Sequence, residues 1–101
     1  MTVEQETVTV DRDLADLIPG FMERRREDVA RLRKLLACGD MGQIRMCGHS
    51  MKGTGSGYGF GEISAIGSEI EQAAVAGEDG RISELADRLE AYLDKVVIRF
   101  N

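Results

Sequence analysis

Four stretches of apolar residues at three- and four-residue spacing, each followed by glycine or by the chain end, restrict this chain to a few helical folds. From Pro19 to Cys38 the stripe is Phe21, Met22, Val29, Leu32 and Leu36, closed by Gly39. From Met41 to Ser56 it is Ile44, Cys47, Gly48, Met51 and Gly55, followed by a glycine-studded turn to Gly61. Phe60, Ile63, Ile66, Gly67, Ile70 and Ala74 make the third stripe, ended by Gly77-Glu78-Asp79-Gly80. Ile82, Leu85, Ala86, Leu89, Leu93, Val96 and Phe100 make the fourth. Such spacing gathers the apolar side chains of each segment on one helical face. A glycine just past the last periodic residue is a helix stop. Four amphipathic segments with connections of roughly two to five residues predict an all-α fold, an antiparallel up-and-down four-helix bundle.

The flanking sequence adds detail. Asp11 to Ile18 reads as a short extra N-terminal helix, after which Pro19 suits the first turn of the next. Asp40 with Gln43 forms a capping-box pattern for the second bundle helix. Arg25 falls on the first apolar stripe, where its stem packs and its head snorkels to water. The surrounding Arg24-Arg25-Arg26 cluster is balanced by Glu23, Glu27 and Asp28 and reads as a solvated face. Thr7 to Val10 and Val96 to Phe100 are rich in β-branched residues. Either they pair as a small two-stranded ribbon, or the N-terminus is disordered and the last helix runs to Phe100. Residues 1–10 are thus an extension, flexible or a short strand, and 11–101 the bundle.

Composition excludes several classes. The chain of 101 residues is enough for one domain with one modest core. It is 43% hydrophobic and 31% charged, with one proline and no tryptophan, as suits a helical bundle. Its net charge of −5 is the wrong sign for a nucleic-acid binder. The first residues carry no leader pattern and no apolar run is long enough to span a membrane, so a cytoplasmic location is expected. In that reducing compartment Cys38 and Cys47 are expected as free thiols.

The single histidine, His49, lies off the apolar stripe of its segment and is expected to face solvent. Its helical neighbours are Arg45, Lys52, Gly53 and Ser56. Cations beside an imidazole favour its neutral, nucleophilic form. They also hold phosphoryl oxygens through charge-assisted hydrogen bonds. Gly53, which costs about 1 kcal/mol relative to alanine in a helix, leaves clearance for a partner to reach the ring. A lone, exposed, cation-flanked imidazole needs no second catalytic residue to carry a phosphoryl group. The bland alternative is a surface histidine beside a fraying helix end.

Other chemistries fit less well. The alternating glycines from Gly53 to Gly61 give neither a dinucleotide fingerprint nor a phosphate-binding loop, and no apolar strand precedes them. His49, Cys38 and Cys47 are too few, at unusable spacing, for a zinc site. Cys47 and His49 are two apart on a helix and diverge, so Cys47 reads as a core residue. Tyr58 and Phe60 flank the turn as caps on the core.

The run His49-Ser50-Met51-Lys52-Gly53-Thr54-Gly55-Ser56-Gly57-Tyr58-Gly59-Phe60 resembles the signature of histidine-containing phosphotransfer domains. That signature is His-x-x-Lys-Gly, a few small residues, then an apolar residue and a glycine before the next helix. The similarity continues through Ile63, Ile66, Ile70, Glu71 and Ala74, at core positions of the family's following helix, and reaches back to Leu14. The resemblance implies that His49 is the phosphoacceptor, on Nε2, that Lys52 lies beside the phosphoryl group, and that Gly53 admits the partner. Gly59 matches the turn glycine. Gly55 departs from the family, which more often has serine or alanine, and leaves the length of the His49 helix open.

By resemblance the function is that of a phosphorelay intermediate in two-component signalling. It is expected to exchange a phosphoryl group with the aspartate of a response-regulator receiver domain or to take one from a sensor histidine kinase. No cofactor is implied on this chain, the divalent metal being on the receiver. No enzyme activity, nucleic acid or membrane partner is implied, and a monomer is expected. The partner-docking face would include Arg45 and Ser56. An alternative is an unphosphorylated docking adaptor of the same fold. A third reading makes His49 a general base, which needs an orienting carboxylate; no Asp or Glu lies three or four residues from it.

Overall fold

The computed structural model describes residues 7–101. Strand β1 (Thr7–Val10) is followed by a 3-10 stretch (Arg12–Leu17) and then by α1 (Ile18–Cys38), α2 (Met41–Tyr58), α3 (Gly61–Ala76) and α4 (Asp79–Lys95). Strand β2 (Val97–Phe100) closes the chain. The expected extra N-terminal helix is therefore only a 3-10 stretch that leads straight into α1. Asp11 caps it by accepting from the Asp13 N–H, and nothing in it is fully buried. Without an apolar face to bury, so short a segment gains little from regular α-helix.

The three interhelical turns are built alike. Gly39, Gly59 and Gly77 take left-handed φ angles of 71°, 85° and 69°. The residue after each donates its N–H to the carbonyl five positions back: Asp40 to Leu35, Phe60 to Gly55, Glu78 to Ala73. Glycine alone enters this conformation without a Cβ penalty, and the bonds satisfy carbonyls the helix end would orphan. Asp79 and Gly80, expected in a turn, already belong to α4. Asp40 caps α2 by accepting from the Gln43 N–H at 3.1 Å, half of the expected capping box. The Gln43 side chain instead accepts from Arg31.

Such short turns make consecutive helices antiparallel, and the cross-helix pairs agree. Arg26 meets Asp94 and Arg33 meets Asp87 between α1 and α4, while Glu62 meets Arg88 and Glu69 meets Arg81 between α3 and α4. The core of this bundle is drawn mainly from the four predicted stripes, with Phe21, Leu32, Ile44, Met51, Phe60, Ile66, Ile70 and Leu89 fully buried. Met22, Leu36 and Val96 are only partly buried, and Val10, Ile18 and Tyr92 join from outside the stripes. Phe21 stacks on Phe60 at 5.1 Å and tilts against Tyr58 at 4.6 Å, so the two aromatics beside the α2–α3 turn close the core.

Two expectations change. The fourth helix stops at Lys95, and Val96 is already extended at φ −64°, ψ 135°. Val97 to Phe100 pair with Thr7 to Val10 as a parallel ribbon, with Val10 only 1% exposed. Phe100 is thus a half-exposed strand residue and no part of a helical stripe. The flexible extension that was the other option for the N-terminus falls partly on residues 1–6, outside the described residues. Arg25 does not snorkel. It is 7% exposed, donates from Nε to Asp28 at 2.7 Å and from Nη1 to Thr54 Oγ1 at 2.7 Å, and lies 5.0 Å from the Phe21 ring centroid. A guanidinium held by a carboxylate, a hydroxyl and an aromatic face has no need to reach water. Burial pushes the Asp28 carboxyl up despite the nearby Arg25 charge.

The tightest packing lies between α2 and α3. A Cβ on Gly67 would stand 2.6 Å from the Lys52 nitrogen and 2.7 Å from the Gly48 carbonyl oxygen. One on Gly48 would stand 2.8 Å from the Glu71 nitrogen, and one on Gly55 2.7 Å from the Ser64 nitrogen. Of the glycine-studded turn expected up to Gly61, only Gly59 is left as the turn: Gly57 belongs to α2 and Gly61 to α3, and Gly55, on the α2 stripe, is a packing contact. Gly67→Ala should cost about 1–3 kcal/mol by forcing the helices apart. Gly57→Ala, whose Cβ would meet nothing within 4 Å, should stabilise by about 0.5–1 kcal/mol. Urea unfolding of the two variants checks this; equal effects would contradict the close-approach assignment.

Candidate functional site

His49 sits midway along α2, its side chain 72% exposed. Ile44, Cys47, Gly48, Met51 and Gly55 are the buried residues of this helix, so the ring is carried outward on the opposite side. Arg45, Lys52, Gly53 and Ser56 are exposed with it. Arg45 and Lys52 are the only charged residues of α2, and neither side chain has a hydrogen bond or ion pair among the described residues. Most arginines elsewhere are committed: Arg25, Arg26, Arg33, Arg81 and Arg88 all hold carboxylates. A Cβ on Gly53 would meet nothing within 4 Å, so the surface one turn from the ring is open.

The residue that sequence spacing did not find is Glu71. It was expected at a core position of α3; it is only part-buried, with its side chain 22% exposed, and Oε2 lies 3.1 Å from His49 Nδ1. The carboxylate sought within one turn of His49 comes instead from the neighbouring helix. The signal was available in the turn geometry: His49 lies ten residues before Gly59 and Glu71 eleven after Phe60, so a hairpin folded there sets them side by side.

The chemistry of that pair is directional. An ionised carboxylate only accepts, so Nδ1 must carry the proton it donates. In the uncharged ring that tautomer leaves the lone pair on Nε2, the far nitrogen. Glu71 also restrains the rotation of an otherwise exposed ring. Arg45, Met46, Ser50 and Glu71 line a groove of about 400 Å³ beside His49. Met46, 59% exposed, is a second surface residue that spacing did not mark out. Cys47 is 7% exposed, and burial together with the Asp28 charge pushes its thiol up to about 11, as an inert packing group. No group of three or more potential metal ligands occurs among the described residues.

Glu71→Ala should shift the ring toward the Nε2-protonated tautomer that free histidine prefers. Long-range proton–nitrogen spectra of the ring at alkaline pH read the two forms directly. An unchanged tautomer in the variant would mean that Glu71 does not set it.

Compared with models of known protein families, residues 16–97 match the Hpt domain. No curated protein and no solved structure matches the chain. No helix among the described residues is long and apolar enough to cross a membrane. The match runs from the 3-10 stretch to the start of β2 and takes in all four helices and His49, and on that extent the chain belongs to the Hpt domain family of histidine phosphotransfer proteins.

Proposed function

We propose that this chain is a phosphorelay intermediate that carries a phosphoryl group on Nε2 of His49. The observation that carries the proposal is the ring's setting: Nδ1 engaged by Glu71, Nε2 free on an exposed face, and two uncommitted cations alongside. The Nε2 lone pair attacks phosphorus of a receiver's aspartyl phosphate, or of nucleotide held by a histidine kinase. The bond from phosphorus to the donor oxygen breaks, its electron pair leaving on that oxygen. The positive charge the ring gains is shared with Nδ1–H and lies against the Glu71 carboxylate. In the return direction an aspartate oxygen of a second receiver attacks and Nε2 leaves as the same neutral tautomer.

Lys52 meets phosphoryl oxygens as they approach, and Arg45 and Ser56 belong to the face on which the partner docks. Gly53 leaves the partner room. The divalent metal such a transfer uses belongs to the receiver in this proposal, and this chain contributes no nucleotide site. A general-base role for His49 regains its carboxylate in Glu71. The Hpt family assignment favours the carrier, and turnover of a substrate without any receiver would favour the base.

Incubation with a phosphorylated receiver, followed by intact mass, should add one phosphoryl group to wild type and none to His49→Gln. Failure to label wild type from several donors would leave the docking adaptor as the better account. Lys52→Ala should slow transfer by about ten- to a hundredfold while unfolding within about 0.5 kcal/mol of wild type, because the side chain is exposed. Gly53→Leu should block transfer with stability unchanged or slightly raised. Wild-type kinetics in Gly53→Leu would remove the clearance role.

A further inference from the structure

Lys52 has a free side chain on a backbone that is firmly held. Its carbonyl oxygen accepts a hydrogen bond from Ser64 Oγ of α3 at 2.8 Å. Gly67 brings the α3 backbone against the Lys52 nitrogen and Cα, and Gly55 brings α2 against the Ser64 nitrogen. Ser64 thus lies at the centre of the close α2–α3 contact, and its hydroxyl is the only α3 side-chain group that hydrogen-bonds the α2 backbone among the described residues.

The stretch it holds needs support. Gly53, Gly55 and Gly57 follow Lys52 within five residues, and each weakens a helix by about 1 kcal/mol relative to alanine. From the α1 side Arg25 grips Thr54 Oγ1, and Thr54 is itself bonded back to the Ser50 carbonyl. From the α3 side the corresponding tie is Ser64. A cation assists phosphoryl transfer only when its stem starts from a fixed place, since displacements near 1 Å at a reacting site are costly in rate.

We propose that Ser64 is a positioning residue for phosphoryl transfer: by holding the Lys52 carbonyl it fixes where the Lys52 ammonium meets the phosphoryl group on His49. This rests on His49 being the phosphoacceptor. Ser64 touches neither the ring nor the phosphoryl group and acts only through Lys52.

The test is a double-mutant cycle with two readouts. Transfer from a phosphorylated receiver is timed for wild type, Ser64→Ala, Lys52→Ala and the double variant, and amide exchange of residues 53–57 is followed in wild type and Ser64→Ala. Ser64→Ala should slow transfer by about three- to tenfold when Lys52 is present, the scale of one hydrogen bond. It should add nothing in the Lys52→Ala background, and amides 53–57 should exchange faster without the hydroxyl. Equal slowing in both backgrounds, or no slowing in either, would overturn the proposal. Should wild type accept no phosphoryl group, the phosphoacceptor assignment falls, and the amide exchange then decides alone: unchanged protection at 53–57 in Ser64→Ala overturns the positioning role.

Discussion

The near-contact of the α2 and α3 backbones is the constraint on which the rest of the molecule depends. Gly48 and Gly67 allow each helix to press on the peptide groups of the other, at a separation any side chain would widen. That separation is what lets a carboxylate on α3 reach the Nδ1 of a histidine on α2. It also brings the Ser64 hydroxyl onto the Lys52 carbonyl. The cost is helix propensity, because α2 includes Gly42, Gly48, Gly53, Gly55 and Gly57. Tertiary contacts offset it: Arg25 on Thr54, the Phe21–Tyr58–Phe60 cluster and the Gly59 turn all brace the weak half of the helix.

Charge is divided among the helices in a way that suits a carrier. Apart from Arg25–Asp28 and His49–Glu71, the ion pairs among the described residues join α1 to α4 and α3 to α4, mostly between groups around half exposed, where each contributes little stability. They do, however, occupy the arginines of those faces. On α2 there is no carboxylate, so Arg45 and Lys52 remain available on a chain whose net charge is −5. Under the proposed function, these two cations are the local complement for a phosphoryl group or an acidic partner surface at His49.

Much of this was legible in the sequence for physical reasons. Apolar spacing located the four helices because burial imposes the 3.6-residue period. Gly39, Gly59 and Gly77 marked turns because left-handed backbone excludes other residues. His49, Lys52 and Gly53 could be placed on an exposed face by the same wheel. What spacing along one helix cannot show is who stands opposite. Glu71 was not on the apolar stripe of α3 and came in only through the family resemblance, as a core position; only the pairing of two helices across Gly59-Phe60 turns it toward the histidine. Arg25 looked solvated because its partners, Thr54 on α2 and the Phe21 ring, are supplied by the fold. Gly55 and Gly57 left the end of the His49 helix open because propensity is local, whereas the contact that selects Gly55 is with Ser64 on another helix. The end of α4 was ambiguous for a similar reason: Val97 to Phe100 become a strand only because Thr7 to Val10 lie alongside.

The most direct measurement is which ring nitrogen carries phosphorus. Long-range proton–nitrogen and phosphorus spectra of the chain, labelled by a phosphorylated receiver, distinguish the two phosphohistidine isomers. With Glu71 engaging Nδ1 and Nε2 facing the open surface, the account predicts phosphorus on Nε2 alone, with the Nδ1 proton retained. Phosphorus on Nδ1, or an even mixture of the two isomers, would contradict it.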